Sequence, residues 1–390
     1  MEVTKSLDHC DVAIIGAGVH GASAAFHLSS GGVDVALFDQ RGPAGGPTGR
    51  SSAICRAYYT NEFLGELAKR SIEMLSNFEE VVGGTAGFKR TGFLWFHPTR
   101  DVADLEKSIP RLRKVGVVVD RLDPAELARE YPQFNLDGVA TALWERDAGY
   151  ADPTLTTASL INRAVELGAK AYLYSKVVSL AETTGGYVVK NDQGQAVHAT
   201  KVLLAAGPWT QPLGLMVGAK LPLTVERHVV AVIRWTGAAR LPFGHADLVS
   251  GQYYCKPEGE LMYCLGPLTA AEEADPDAFN EALGNEEAFD LTQASAARVP
   301  AFREAELVGG WASLYDVSPD WQPVIGEIAD GVFVDAGTSG HGFKLAPALG
   351  AVVADMVMGD ADPRLSQFHP RRFDAGHTLE AGYGTARILG

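Results

Sequence analysis

The run DVAIIGAGVHG, residues 11–21, places a short apolar stretch directly before a glycine-rich turn. In this spacing Gly16 permits the tight turn and Gly18 lets the backbone approach a pyrophosphate, while Gly21 allows a following helix to pack closely on the strand. Val19–Leu28, rich in Ala, reads as that helix, and its first N–H groups, around Val19 and His20, together with its dipole favour a phosphate. Val33–Phe38 reads as a second buried strand. Strand, turn, helix and strand in about 30 residues make a βαβ unit with a parallel sheet. Asp39 ends the second strand, where a carboxylate can bond ribose hydroxyls, and Gln40 follows it at the same strand end. The unit implies a dinucleotide and leaves FAD and NAD both open.

Similar elements return further on. Pro153–Gly168 reads as a helix stopped by glycine and followed by strands, Val332–Ala336 as a last apolar strand, and Leu345–Met358 as a last helix. Between them, Thr91–His97, Leu221–Trp235 and Gly251–Leu265 are strand-rich, the stretch 101–131 is charged and helical but broken by Pro110 and Pro124, and Ala270–Ala297 reads as acidic helix. The fold expected is α/β: a Rossmann-like domain on a parallel sheet, with an inserted α+β substrate domain on a mostly antiparallel sheet. The nucleotide domain is expected at 1–85, 147–220 and 310–390, and the substrate domain at 86–146 and 221–309.

Composition narrows the function classes. The 390 residues suit about two domains of ordinary size, and 46% hydrophobic with 21% charged residues is a globular composition. A net charge of −15 argues against a nucleic-acid surface. The four cysteines, Cys10, Cys55, Cys255 and Cys264, show no CxxC pair and no metal-ligand spacing, and read as buried thiols of a reducing compartment. The polar start of the chain lacks the apolar core of a signal peptide, and no apolar run nears the roughly 18 residues that span a bilayer. The expectation is a cytoplasmic enzyme, monomer or homodimer, with no metal and no membrane or nucleic-acid partner.

Five further stretches narrow the dinucleotide to one: RGPAGGPTGRSSAICR from Arg41, DAGYADP from Asp147, KVLLAAGPWT from Lys201, YDVSPDWQPVIG from Tyr315 and GTSGHGFKLAPALG from Gly337. Together and in this order they resemble the D-amino-acid-oxidase-like flavoprotein superfamily, in its branch of sarcosine oxidase, dimethylglycine dehydrogenase and glycine oxidase. The resemblance covers nearly the whole chain, and SGHGFK is its strongest motif. It implies FAD. Ser51 and Ser52 match positions near the pyrophosphate and flavin, Val177 and Val178 match the strand that holds the adenine, and Ala206, Gly207 and Trp209 match a turn beside the FAD. Gly340, His341, Gly342, Phe343 and Lys344 match the helix entry that faces the flavin, where backbone N–H groups can meet a flavin carbonyl.

The same resemblance implies oxidation of a C–N bond in a small amino acid or N-substituted glycine, with a hydride passing to flavin N5 and hydrolysis of the imine to an oxo acid or aldehyde plus an amine. Such chemistry needs an orienting anchor for the substrate carboxylate more than acid–base machinery. Arg56 and Lys344 match that anchor, since Arg offers a bidentate fork and Lys a point charge. Tyr315 stands where glycine oxidases and D-amino-acid oxidases place a carboxylate-binding Arg, which turns the expectation toward N-substituted glycines. Tyr253, Tyr254, His228 and His341 are further candidates for the pocket. Ser313 stands where monomeric sarcosine oxidases attach flavin to Cys, and no His lies near Arg50, so FAD is expected to be noncovalent. The oxygen-activating Lys of that group is replaced near Cys264, with Lys256 or Lys344 as substitutes if O2 takes the electrons. The alternatives are an FAD-dependent hydroxy-acid or glycerol-phosphate dehydrogenase and an electron-transferring subunit of a larger complex.

Overall fold

A computed structural model of the chain describes residues 8–237 and 240–379. The strand Asp8–Ile15 is fully buried from Val12 onward, as a run without alternation must be when both faces of its sheet are covered. It pairs in parallel with Val35–Phe38 on one side and Ala196–Leu204 on the other, so that Ile15 lies between Phe38 and Leu204. Lys170–Tyr172 extends the sheet beyond Val35–Phe38. The far edge of Ala196–Leu204 is used twice, by antiparallel Gly186–Asn191 along its first half and by parallel Val332–Ala336 along its second. With Val177–Thr183 and Val324–Ala329 this makes an eight-stranded sheet among the described residues.

The helices Val19–Ser30, Glu62–Ser76, Pro153–Glu166 and Gly342–Met358 pack together against this sheet in one hydrophobic cluster. The approach of the first and last is close: a Cβ on Gly350 would come within 2.1 Å of Ser23 Oγ. Gly342–Met358 is buried nearly all round, which fits a helix with apolar residues on every face.

A second eight-stranded sheet runs in the order Glu306–Val317, Thr224–Arg234, Met262–Pro267, Tyr253–Glu258, Gly244–Asp247, Phe93–His97, Thr141–Glu145 and Asp120–Leu122. Its neighbours are antiparallel except Phe93–His97 with Gly244–Asp247. The α/β class, with parallel strands at the centre of the first sheet and a mostly antiparallel second sheet, is the class expected.

Three local readings differ. Residues 310–317 pair along Thr224–Arg234 and belong to the second sheet, because the strand Glu306–Val317 is continuous across the expected boundary. Pro110 does not break its helix, which runs Val102–Lys114 on the packing of Leu105, Ser108 and Leu112; Pro124 instead opens the helix Pro124–Glu130 behind an Asp123–Glu126 capping box. Residues 268–284 are irregular, and the acidic helix begins only at Asn285, behind Gly284. Among the described residues no helix is long and apolar enough to cross a membrane. All four cysteines are free and buried.

Candidate active site

A cavity of about 390 Å³ opens where the strands Asp8–Ile15, Val35–Phe38 and Ala196–Leu204 end, and it reaches the second sheet at His228, Ser313 and Tyr315. The glycine turn forms its floor. Gly16 adopts φ +116°, and a Cβ there would lie 2.2 Å from the Ala205 carbonyl oxygen, so only glycine fits. A Cβ on Gly21 would meet the Gly16 carbonyl oxygen at 1.8 Å, which shows how tightly helix and strand are packed.

Two helix N-termini, those of Val19–Ser30 and Gly342–Met358, open on this one cavity, and neither Gly18 nor His341 at the N-cap supplies a side-chain cap. Thr48 Oγ1 accepts the Val19 N–H at 3.2 Å. The remaining first-turn N–H groups and both dipoles suit anionic or carbonyl oxygens. Asp39 lines the cavity with both oxygens engaged by backbone: Oδ2 accepts from Ala17 N–H at 2.7 Å and Oδ1 from Arg41 N–H at 2.6 Å. Burial raises its pKa, and those two donors work against the rise. A carboxylate has further lone pairs, so ribose hydroxyls can still be met there. His20 Nδ1 pairs with Asp335 Oδ2 at 2.8 Å. Burial opposes the charge on this imidazole, but Asp335, helped by Asp316, outweighs it and raises the pKa.

At the other end, Ser52 Oγ and Tyr254 Oη are 3.0 Å apart, Tyr254 is hydrogen-bonded in turn to Tyr315, and all three line the cavity. Two further cations are buried away from the cavity surface. The Arg56 guanidinium donates to the Tyr58 carbonyl at 2.8 Å and lies over the rings of Tyr59 and Trp95, 4.6 and 5.0 Å from their centroids. Lys344 is 8% exposed, and its ammonium makes no hydrogen bond or ion pair among the described residues. Burial first, then repulsion from Arg56, holds its pKa well below the ordinary lysine range. Glu145, whose carboxylate accepts the Ala57 N–H, is the carboxylate of this cluster. Burial pushes its pKa up to about 7, against the pull of the Ala57 N–H and Arg56.

A family model described as FAD dependent oxidoreductase (DAO) matches residues 11–356. The chain belongs to that family. N-methyl-L-tryptophan oxidase of Salmonella heidelberg (strain SL476) is 27% identical over 384 residues, which cover 92% of this chain and 99% of the relative. Mitochondrial dimethylglycine dehydrogenase of Rattus norvegicus is 24% identical over 402 residues, covering 97% of this chain and 47% of the relative. Among solved structures, glycine oxidase from Geobacillus kaustophilus superposes with a TM-score of 0.81 at 25% identity, covering 94% of this chain and 99% of that one. L-proline dehydrogenase from P. horikoshii, with a TM-score of 0.87 at 24% identity over 96% and 100% of the two chains, shares the fold.

In this FAD-dependent oxidoreductase the cavity gathers Gly16, Gly18, Val19, His20, Asp39, Gln40, Ser51, Ser52, Ala206, Gly207, Trp209, Tyr315, Gly340, Gly342 and Phe343 at its surface. The glycine cradle and the two helix N-termini fit a dinucleotide with a carbonyl-bearing ring. Gly21 serves packing. Val177 lines the cavity, while Val178 alternates to the outer face and is half exposed. Tyr253 is corrected by the same alternation: it points into the core of the second sheet with its hydroxyl 2.9 Å from His245 Nε2, and Tyr254 takes the cavity face. Arg56, Lys344 and His341 do not reach the cavity surface. His341 is buried beside Tyr59, Nδ1 to Oη 3.4 Å. Glu145 and Thr48 were not foreseen, since a carboxylate in an apolar strand and a threonine in a loop carry no local signal of what they will face.

Proposed function

We propose that the chain oxidises the C–N bond of a small amino acid or N-substituted glycine, of the glycine, sarcosine or N-carboxymethyl amino-acid kind. The observation that carries the reading is the buried Lys344 ammonium, which makes no hydrogen bond or ion pair among the described residues and is repelled by the Arg56 guanidinium. Two buried cations share one buried carboxylate, Glu145, whose own pKa is pushed up to about 7, and a substrate carboxylate is of the right charge and geometry for an Arg fork and a Lys point charge. Phe343 and Ser52, close in sequence to these cations, lie on the cavity wall; in this reading the substrate carboxylate reaches past that wall to the cations and its α-carbon and nitrogen face the cofactor site. The hydroxyls of Tyr254 and Tyr315 hold the amine end, and the aromatic wall excludes water. FAD, when bound, supplies the two-electron acceptor. The oxidised substrate, an imine, takes up water and separates into an oxo acid or aldehyde and an amine.

Attachment of FAD is noncovalent in this reading: Ser313 and Arg50 both line the cavity, and neither side chain forms a stable bond to a flavin ring. O2 is the proposed final acceptor, giving H2O2. Lys256 is one candidate to assist it; it lies opposite Cys264 in the strand ladder, paired to Glu258 at 2.5 Å and 4.5 Å from the Tyr150 ring centroid. The deciding experiment is an anaerobic titration of the purified holoprotein with glycine, sarcosine, dimethylglycine, proline and iminodiacetate. Bleaching of the flavin by one of these amines supports the reading. Bleaching by a hydroxy acid or glycerol phosphate, with no response to any amine, overturns it.

A further inference from the structure

Tyr315 is held from both sides. On one face the His228 imidazole stacks on its ring, centroids 4.0 Å apart and planes within 21°. On the other face lies the Gly340 backbone at φ +85°, where a Cβ would come within 2.6 Å of Tyr315 Cε2. The imidazole is itself fixed: His228 Nε2 lies 3.0 Å from Glu226 Oε2, and that oxygen also accepts the Ala271 N–H at 3.1 Å. The strand register explains the arrangement. Glu226 stands opposite Tyr315 in the ladder, and His228 opposite Ser313, so His228 is the diagonal neighbour of Tyr315 on the same sheet face.

We propose that Glu226 and His228 are positioning residues for Tyr315, setting the ring plane in which its hydroxyl, with those of Tyr254 and Ser52, meets the substrate nitrogen. The inference rests on the proposed function, in which Tyr315 faces the amine. Its physical content is that a phenol hinged on a strand has two soft side-chain torsions, and the pocket needs its oxygen in one place. The glycine of SGHGFK and the imidazole close the ring into a slot from opposite sides. Burial, with the Tyr254 hydroxyl next to it, keeps the Tyr315 phenol well above its ordinary pKa, so it acts as a neutral hydrogen-bonding group. Glu226 holds its charge beside the imidazole: burial works against that charge, but the bond to His228 outweighs it and lowers the carboxyl pKa. The carboxylate thus stays an acceptor and locks the imidazole by its Nε2–H.

The test is a double-substitution cycle on the holoenzyme, reading the limiting rate and apparent dissociation constant of anaerobic flavin reduction by the amine of the panel that bleaches fastest. An aromatic pair is worth about 0.5–1.5 kcal/mol, so His228→Ala should slow limiting reduction roughly 2- to 13-fold with FAD content unchanged. His228→Phe, which restores a stacking ring without the Glu226 bond, should recover most of that loss, and Glu226→Gln should give a smaller one. In a Tyr315→Ala background His228→Ala should have no further effect. Equal effects of His228→Ala with and without Tyr315, or failure of His228→Phe to recover the rate in a folded, flavin-loaded protein, overturn the inference while leaving the amine reading intact. If Tyr315→Ala itself leaves reduction by every amine unchanged, the placement of Tyr315 at the substrate is wrong and the inference falls, while the amine reading stands.

Discussion

Lys344→Met separates the roles of the buried cation by the signs of its effects. Methionine keeps the length and apolar contacts of the lysine stem and removes only the ammonium. In the folded protein that ammonium is buried, pushed toward neutrality by its surroundings and repelled by Arg56. Removing it should therefore leave stability equal to the parent's or higher. Substrate binding should move the other way. A hydrogen bond to a charged group contributes about 1.5–3 kcal/mol, so losing the lysine's share of the carboxylate anchor should raise the apparent substrate dissociation constant roughly 10- to 150-fold. The assay is a spectral titration of the anaerobic holoprotein, with the FAD dissociation constant measured separately by flavin fluorescence and the thermal midpoint by calorimetry. A weakened amine constant with intact FAD affinity and an unreduced midpoint is the expected triad. FAD loss with an unchanged amine constant would show that the lysine supports the cofactor and that the anchor lies elsewhere.

Four further outcomes are expected. Because the free protein holds Lys344 with a depressed pKa and a bound carboxylate would restore its charge, substrate binding takes up a proton; affinity should weaken as pH rises through the lysine's free-state pKa, and Lys344→Met should flatten that dependence in a pH series of the same titration. Glu145 has a folded pKa raised from 4.5 to about 7, so the native state binds the extra proton in that window; stability should fall as pH rises from 4.5 to about 7, and Glu145→Gln should remove that slope in denaturant melts across the range. His20→Leu strands a buried Asp335 carboxylate and should cost about 3–5 kcal/mol in urea unfolding, as expected for a broken buried pair; a loss under 1 kcal/mol would refute the charge on the pair. Acid precipitation of the holoprotein should release all of its flavin to the supernatant, and yellow colour left in the pellet would contradict noncovalent attachment.

The nucleotide half was legible in the sequence because its determinants are local. Gly16, Gly18 and Gly21 answer backbone demands within one turn, and the apolar runs on either side reveal buried parallel strands without reference to anything distant. Irregular segments were harder. The acidic stretch after Ala270 has helical composition, yet its first part lies across the second sheet, tied down by contacts such as Arg227 to the Asn280 and Ala282 carbonyls, and propensity yields to such tertiary contacts. Pro110 shows the converse: a helix survives the lost hydrogen bond when its apolar face is well buried.

By itself the run at residues 11–21 determined a dinucleotide-binding βαβ unit, and the stretches after it a flavin, because glycine spacing and unbroken apolar runs are properties of short segments. Which tyrosine faces the cavity was decided only by strand register, since Tyr253 and Tyr254 differ by one residue and therefore by one face of the sheet. Bringing Arg56, Glu145 and Lys344 into one buried cluster took contacts across nearly three hundred residues of chain, and the electrostatics that depress the Lys344 pKa exist only once the three are desolvated together.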